Sequence, residues 1–244
     1  MGSGIFVLQK LFRLTLLIAL QNIITLGVNL SDNLLLGGYS ESALSGVALA
    51  NQIQFVLQML VMGASEGLVI LSARSWGAKN LEAVKKAASI GMRIALFVSV
   101  VMWILVFAFP HGCMSLFTNE TRVIEEGAAY LRIICFSYVF FAVTNVLLAS
   151  LRSVEIVRIG FIVSLSTLII NVCLNYVLIY GHFGFPRMGV SGSATATLAA
   201  RIIETVIVVI FIKRFDRRLR LRLKDFFRST SRCSASICAS VHRS

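Results

Sequence analysis

Residues 11–36, LFRLTLLIALQNIITLGVNLSDNLLL, decide how this chain is read. The stretch is long and apolar enough to cross a bilayer as one helix, for which about 20 mostly apolar residues suffice. Yet Asn22, Thr25, Asn29 and Asp32 recur within it at spacings of three and four, which puts them on one helix face. An ionisable group inside a membrane span costs roughly 2.5–3.5 kcal/mol on insertion scales, so it faces a bundle interior or a watery path and marks an ion or substrate site. A neutral amide would hold helices together without that cost. Asp32 is therefore expected to work, either as a protonatable group or as part of an oxygen-lined cation site.

Five more apolar runs follow, at about 43–73, 86–109, 123–151, 157–180 and 189–212. The joints are short and punctuated by turn chemistry: Gly37-Gly38-Tyr39-Ser40, Ser75 to Asn80, Pro110-His111-Gly112, Arg152 to Glu155, and Gly181 to Met188. Short joints make sequential neighbours antiparallel. The expected fold class is all-α, a polytopic membrane protein of six transmembrane helices. Composition agrees, with 57% hydrophobic and 14% charged residues in 244, and a mean hydropathy of +0.86. The lipid bilayer is the first partner such a chain requires.

A net charge of +12 would suggest nucleic acid in a soluble protein. Here the basic residues gather at alternate joints, as Arg74, Lys79, Lys85 and Lys86, then Arg152 and Arg158, then Lys213 to Lys224 after the last run. That alternation is a topology signal rather than a nucleic-acid footprint, and by the positive-inside rule it places both termini in the cytoplasm of a multi-pass plasma-membrane protein. The first run is too long, and too polar in its later half, for a cleaved signal peptide.

Orientation also sorts the polar residues by depth. Asp32 and Asn175 lie near the outer ends of outward-running helices, while Asn51, Gln54 and Thr197 lie roughly eight residues in from the start of inward-running ones. At 1.5 Å rise per residue these fall within about 6 Å of one another in depth. The pair Asn171 and Asn175, four apart, shares a face. One polar layer in the outer half is expected, with Asn22, Thr25, Asn29, Asn51 and Gln54 lining a cavity beside it. Arg201 and Glu204, three apart, are expected to pair with each other, and Glu66 to lie at the inward end of a cavity.

No catalytic constellation or metal-ligand set is evident. Gly63-Ala64-Ser65-Glu66-Gly67 has the form of a nucleophile elbow but sits inside a helical run where that strand–turn–helix motif cannot form. Gly189-Val190-Ser191-Gly192 has the form of an intramembrane serine protease motif, but no histidine occupies a later span to take the serine's proton. Its glycines are expected instead to bring the sixth span close to a neighbour. The five cysteines match no zinc or redox spacing.

Several ordered motifs carry a family resemblance. Asp32-Asn33-Leu34-Leu35-Leu36-Gly37, Ala48-Leu49-Ala50-Asn51-Gln52 and Leu71 to Asn80 are followed by Leu151-Arg152-Ser153, Asn171-x-x-x-Asn175, Ile179-Tyr180-Gly181 and Gly189 to Thr197. Over about residues 10–225 the chain resembles the amino-terminal half of the multidrug and toxic compound extrusion (MATE) family. The resemblance implies one six-helix lobe of a two-lobed antiporter that exports amphiphilic or cationic organic compounds, driven by a coupling ion, H+ or Na+, with no other cofactor. It carries the cation or proton site to Asp32, with Asn171, Asn175 and Thr197 as polar partners. Members often hold aspartate where Asn175 stands, so Asp32 is left as the main titratable group.

The resemblance divides the chain into a lobe at 1–212, the start of a basic cytoplasmic linker at 213–228, and a low-complexity tail at 229–244 that loses the family pattern, as after a shift of reading frame. The expected partners are a drug-like small molecule and the missing carboxy-terminal lobe or a second copy of the chain. The alternatives are a lipid-linked sugar flippase of the wider superfamily and an inert truncated fragment.

Overall fold

The computed structural model describes residues 2–215, excepting the side chains of 2–7, 10, 11, 13 and 215. The expected tail at 229–244, and the linker start beyond residue 215, lie outside the described residues. Every regular element among the described residues is a helix: α1 (Gly2–Gly37), α2 (Glu41–Gly77), α3 (Leu81–Ala108), α4 (Pro110–Ser115), α5 (Thr121–Ile134), α6 (Ser137–Arg152), α7 (Arg158–Tyr180) and α8 (Gly189–Phe215). Their ends follow local chemistry. Asn80 caps α3 by accepting from the Ala83 N–H at 3.1 Å, Pro110 opens α4 where its missing N–H costs nothing, and Gly181 at φ 74° closes α7 in the left-handed conformation.

Burial runs as helical stripes. In α2 the buried residues Ala43, Gly46, Val47, Ala50, Ile53, Gln54, Leu57, Val61, Ser65, Leu68 and Ser72 recur at the helical period. The opposite face is exposed yet still apolar, with Phe55, Val56, Met59, Leu60 and Ile70. A helix that is hydrophobic all round needs lipid on the side the protein does not cover. Among the described residues five helices are long and apolar enough to span a membrane, and the bent pair α5 and α6, counted as one, makes a sixth span.

That sixth span departs from the expected continuous run at 123–151. It breaks between Ile134 and Ser137, and its two halves are bent by 53°. Neither proline nor glycine sits there. Instead the Ser137 hydroxyl donates to the Ile134 carbonyl at 2.6 Å and the Cys135 thiol to the Arg132 carbonyl at 3.3 Å, so side chains compete for acceptors that an unbroken helix would reserve for its own N–H groups.

In the bundle α7 packs on α8 and α1, α2 on α3 and α5, and α3 on α6, while α8 also meets α5 and α6. Two seams are backbone-close. A Cβ on Gly46 of α2 would stand 2.9 Å from the Gly127 nitrogen and 3.0 Å from the Val123 carbonyl oxygen of α5. One on Gly192 of α8 would stand 2.7 Å from the Leu178 carbonyl oxygen of α7. The close approach expected of the Gly189–Gly192 segment is thus present, at the carboxy-terminal end of α7.

Register between α1, α7 and α8 positions the site. Gly160 faces Gln21 and Gly27 faces Leu168, and the Tyr180 hydroxyl donates to the Leu35 carbonyl at 2.8 Å. Sequence numbers rise together, so α1 and α7 are parallel. Gly192 meets Leu178, whereas Thr197 meets Asn171, so α8 runs the other way.

Candidate functional site

Asp32 of α1, Asn171 and Asn175 of α7 and Thr197 of α8 converge one turn below the Tyr180–Leu35 bond. Both asparagines are fully buried, and Asp32 is 4% exposed. Their hydrogen bonds close a ring. The Asn175 Nδ2 donates to Asp32 Oδ1 and to Asn171 Oδ1 at 3.0 Å. The Asn171 Nδ2 donates to Thr197 Oγ1 at 3.1 Å, and Thr197 Oγ1 donates to Asp32 Oδ2 at 3.4 Å.

The ring meets both carboxylate oxygens with neutral donors. The Asn175 Oδ1 is buried without a hydrogen-bond partner, an acceptor left over beside a carboxyl group. Together with Asp32, Asn171 Oδ1 and Thr197 Oγ1 it gives a small all-oxygen donor set on three helices, the chemistry that suits a hard cation. The cluster holds one carboxylate, matching one unit of positive charge. If Asp32 is protonated instead, its hydroxyl can donate to the Asn175 amide once that amide turns to present its oxygen.

The other sequence-derived positions are placed as follows. Thr25 is half-buried on the same α1 face, where it lines a small cleft with Val28, Ser164, Thr167, Arg201 and Glu204. Asn22 and Asn29 are exposed. At 3.6 residues per turn they lie about 60–80° around the helix from Asp32, so spacings of three and four spread the stripe over a wider arc than the buried face of α1. Gln54 is buried on α2 with its Oε1 unpartnered, and Asn51 is half-buried; neither hydrogen-bonds into the ring.

Arg201 and Glu204 form the expected pair, at 2.8 Å. Glu66, half-exposed, pairs with Arg152 at 3.2 Å. One neighbour had no signal in the sequence: Tyr130 of α5, buried beside Asp32 and Thr197. It lies within the run at 123–151, where a tyrosine reads as an ordinary core aromatic.

Apolar helices around a buried ring with a single carboxylate define a multi-pass membrane protein of transporter architecture. The chain belongs to the MATE family, whose model, MatE, matches residues 18–177. It is 33% identical over 214 residues to a probable multidrug resistance protein NorM of Thermotoga maritima, covering 87% of this chain and 46% of that one. It is 28% identical to a NorM protein of Rhizobium meliloti, covering 81% and 42% respectively.

Among solved structures it superposes on a MATE transporter in the bent conformation with a TM-score of 0.80 at 20% identity, covering 91% of this chain and 49% of that one. A MOP superfamily transporter from Pyrococcus furiosus gives a TM-score of 0.78, also at 20% identity. The fold is therefore shared with one half of these molecules. The chain spans about half the length of the relatives it matches.

Proposed function

We propose that this chain forms one lobe of a cation-coupled antiporter that exports amphiphilic, often cationic, organic compounds, and that Asp32 is its coupling carboxylate. The observation that carries the reading is the buried Asp32 itself, held by the neutral groups of Asn175 and Thr197 and in no salt bridge with a Lys or Arg side chain among the described residues. An uncompensated carboxylate in hydrocarbon is expensive. A proton or a sodium ion removes that expense, and its departure restores it. If ion and organic compound favour different arrangements of α1 against α7 and α8, the occupancy of Asp32 biases which side of the membrane the cavity faces.

The second wall of that cavity comes from another lobe, either further polypeptide like the other half of the relatives or a second copy of this chain. Both termini face the cytoplasm in this reading, as the alternation of basic joints requires.

Efflux of an ethidium-like dye from proteoliposomes, under separately imposed proton and sodium gradients, tests the proposal. Asp32→Asn is expected to abolish gradient-driven efflux, and the gradient that drives the native chain identifies the ion. Undiminished efflux by that variant would rule out Asp32 as the coupling group.

A further inference from the structure

Two turns from the Asp32 ring, toward the end of the bundle where α1 begins, the same three helices enclose a second polar layer. Each contributes residues four and seven positions from its ring residue: Val28 and Thr25 below Asp32, Thr167 and Ser164 below Asn171, and Arg201 and Glu204 below Thr197. The parallel course of α1 and α7, and the opposite course of α8, make all three steps point the same way. At 1.5 Å per residue seven positions span about 10 Å. These six residues line one cleft.

Its polar groups are arranged unevenly. Thr167 Oγ1 donates to the Val163 carbonyl of its own helix at 2.9 Å, and Thr25 Oγ1 to the Gln21 carbonyl at 3.0 Å, so each leaves an oxygen lone pair free to accept. Arg201 and Glu204 are joined at 2.8 Å, with the guanidinium 5.3 Å from the centre of the Phe141 ring and Glu204 5% exposed. The pair has no net charge and fills the cleft from the α8 side. A guanidinium facing a passage opposes cations unless a carboxylate neutralises it.

We propose that this cleft is the route by which water and the coupling cation reach Asp32 from the end of the bundle where α1 begins, and that the Arg201–Glu204 pair is its gate. The inference rests on the reading of Asp32 given above. It adds a direction of access, a second set of residues, and a role for an ion pair that helix packing alone does not require.

Sided cysteine labelling tests it on the chain in membrane vesicles. With the native cysteines replaced by alanine, Ser164→Cys and Thr167→Cys are exposed to a small membrane-impermeant methanethiosulfonate of negative charge, which the Arg201 guanidinium does not repel. Lys79→Cys serves as reference for the end where α1 begins, and Phe183→Cys for the opposite end. Both test cysteines are expected to react only when the reagent is on the Lys79 side, and at least tenfold faster once Glu204→Gln is added. If Glu204→Gln is not recovered folded, Arg201→Ala with Glu204→Ala takes its place, since it removes both charges together.

Reaction from the Phe183 side, equal reaction from both sides, no acceleration on opening the pair, or no reaction in any variant would each overturn the proposal. The assay needs neither a gradient nor a dye. A sided, gated cleft combined with Asp32→Asn efflux that is undiminished would therefore leave the passage standing while removing the coupling role.

Discussion

Asp32 and Glu204 are two carboxylates buried to the same degree, 4% and 5% exposed, about two turns apart in depth within one bundle, and they are held in opposite ways. Glu204 meets a guanidinium at 2.8 Å on its own helix. Asp32 accepts its hydrogen bonds from an amide and a hydroxyl on two other helices. A carboxylate joined to a guanidinium carries its neutralising charge with it, whereas one held by an amide and a hydroxyl does not. The bundle thus buries the same functional group twice, once in a fixed ion pair and once among neutral hydrogen-bond donors.

That contrast can be broken most readily at Glu204. Glu204→Ala leaves Arg201 buried and unpaired and should lower stability by about 3–5 kcal/mol, measured by denaturant unfolding in detergent; a loss below about 1 kcal/mol would show that the pair is solvated. Next in size is Asn175→Ala, which removes the donor shared by Asp32 and Asn171. The expected loss is about 1–3 kcal/mol, and a neutral result would mean that the ring is not formed in the membrane.

Asp32→Asn tests the opposite limb. The new amide still accepts from Asn175, and the Thr197 hydroxyl can turn to accept from it, so stability should stay within about 1 kcal/mol of the native chain while gradient-driven efflux is lost. A large destabilisation together with retained efflux would recast Asp32 as structural. Smallest of all, Thr144→Val removes the 2.9 Å hydroxyl contact with Thr205 that joins α6 to α8. An effect near 0.6 kcal/mol is expected, as for other interhelical hydroxyl contacts, and a value several times larger would place that contact with the ion pair rather than with ordinary packing.

The ring was legible because each member violates an expectation for lipid. A carboxylate stands out in hydrocarbon, asparagines four apart share a face, and depth arithmetic brings Thr197 level with them. The layer beneath was less visible. Ser164 and Thr167 read as neutral in a span, since a hydroxyl there can always satisfy its own helix, and only the register of three helices shows that they face Arg201. The break at Cys135–Phe136 was hidden for a similar reason, because its cause is hydroxyl and thiol bonds to local carbonyls rather than proline or glycine. Asn22 and Asn29 illustrate the converse: their spacing from Asp32 was visible, but their angular drift away from it decides where they point.

The seam between Gly46 and Gly127 has a consequence for how this lobe tolerates change. A single methyl group on Gly46 would meet the Gly127 and Val123 backbone and act as a wedge, prising α5 off α2, while one on Gly127 would press first on the Met114 side chain of α4. Tyr130 lies one turn along α5 from Gly127, beside Asp32. The most conservative exchange in the genetic repertoire, glycine to alanine, would thus be felt at the heart of the molecule from a place that touches none of its charges.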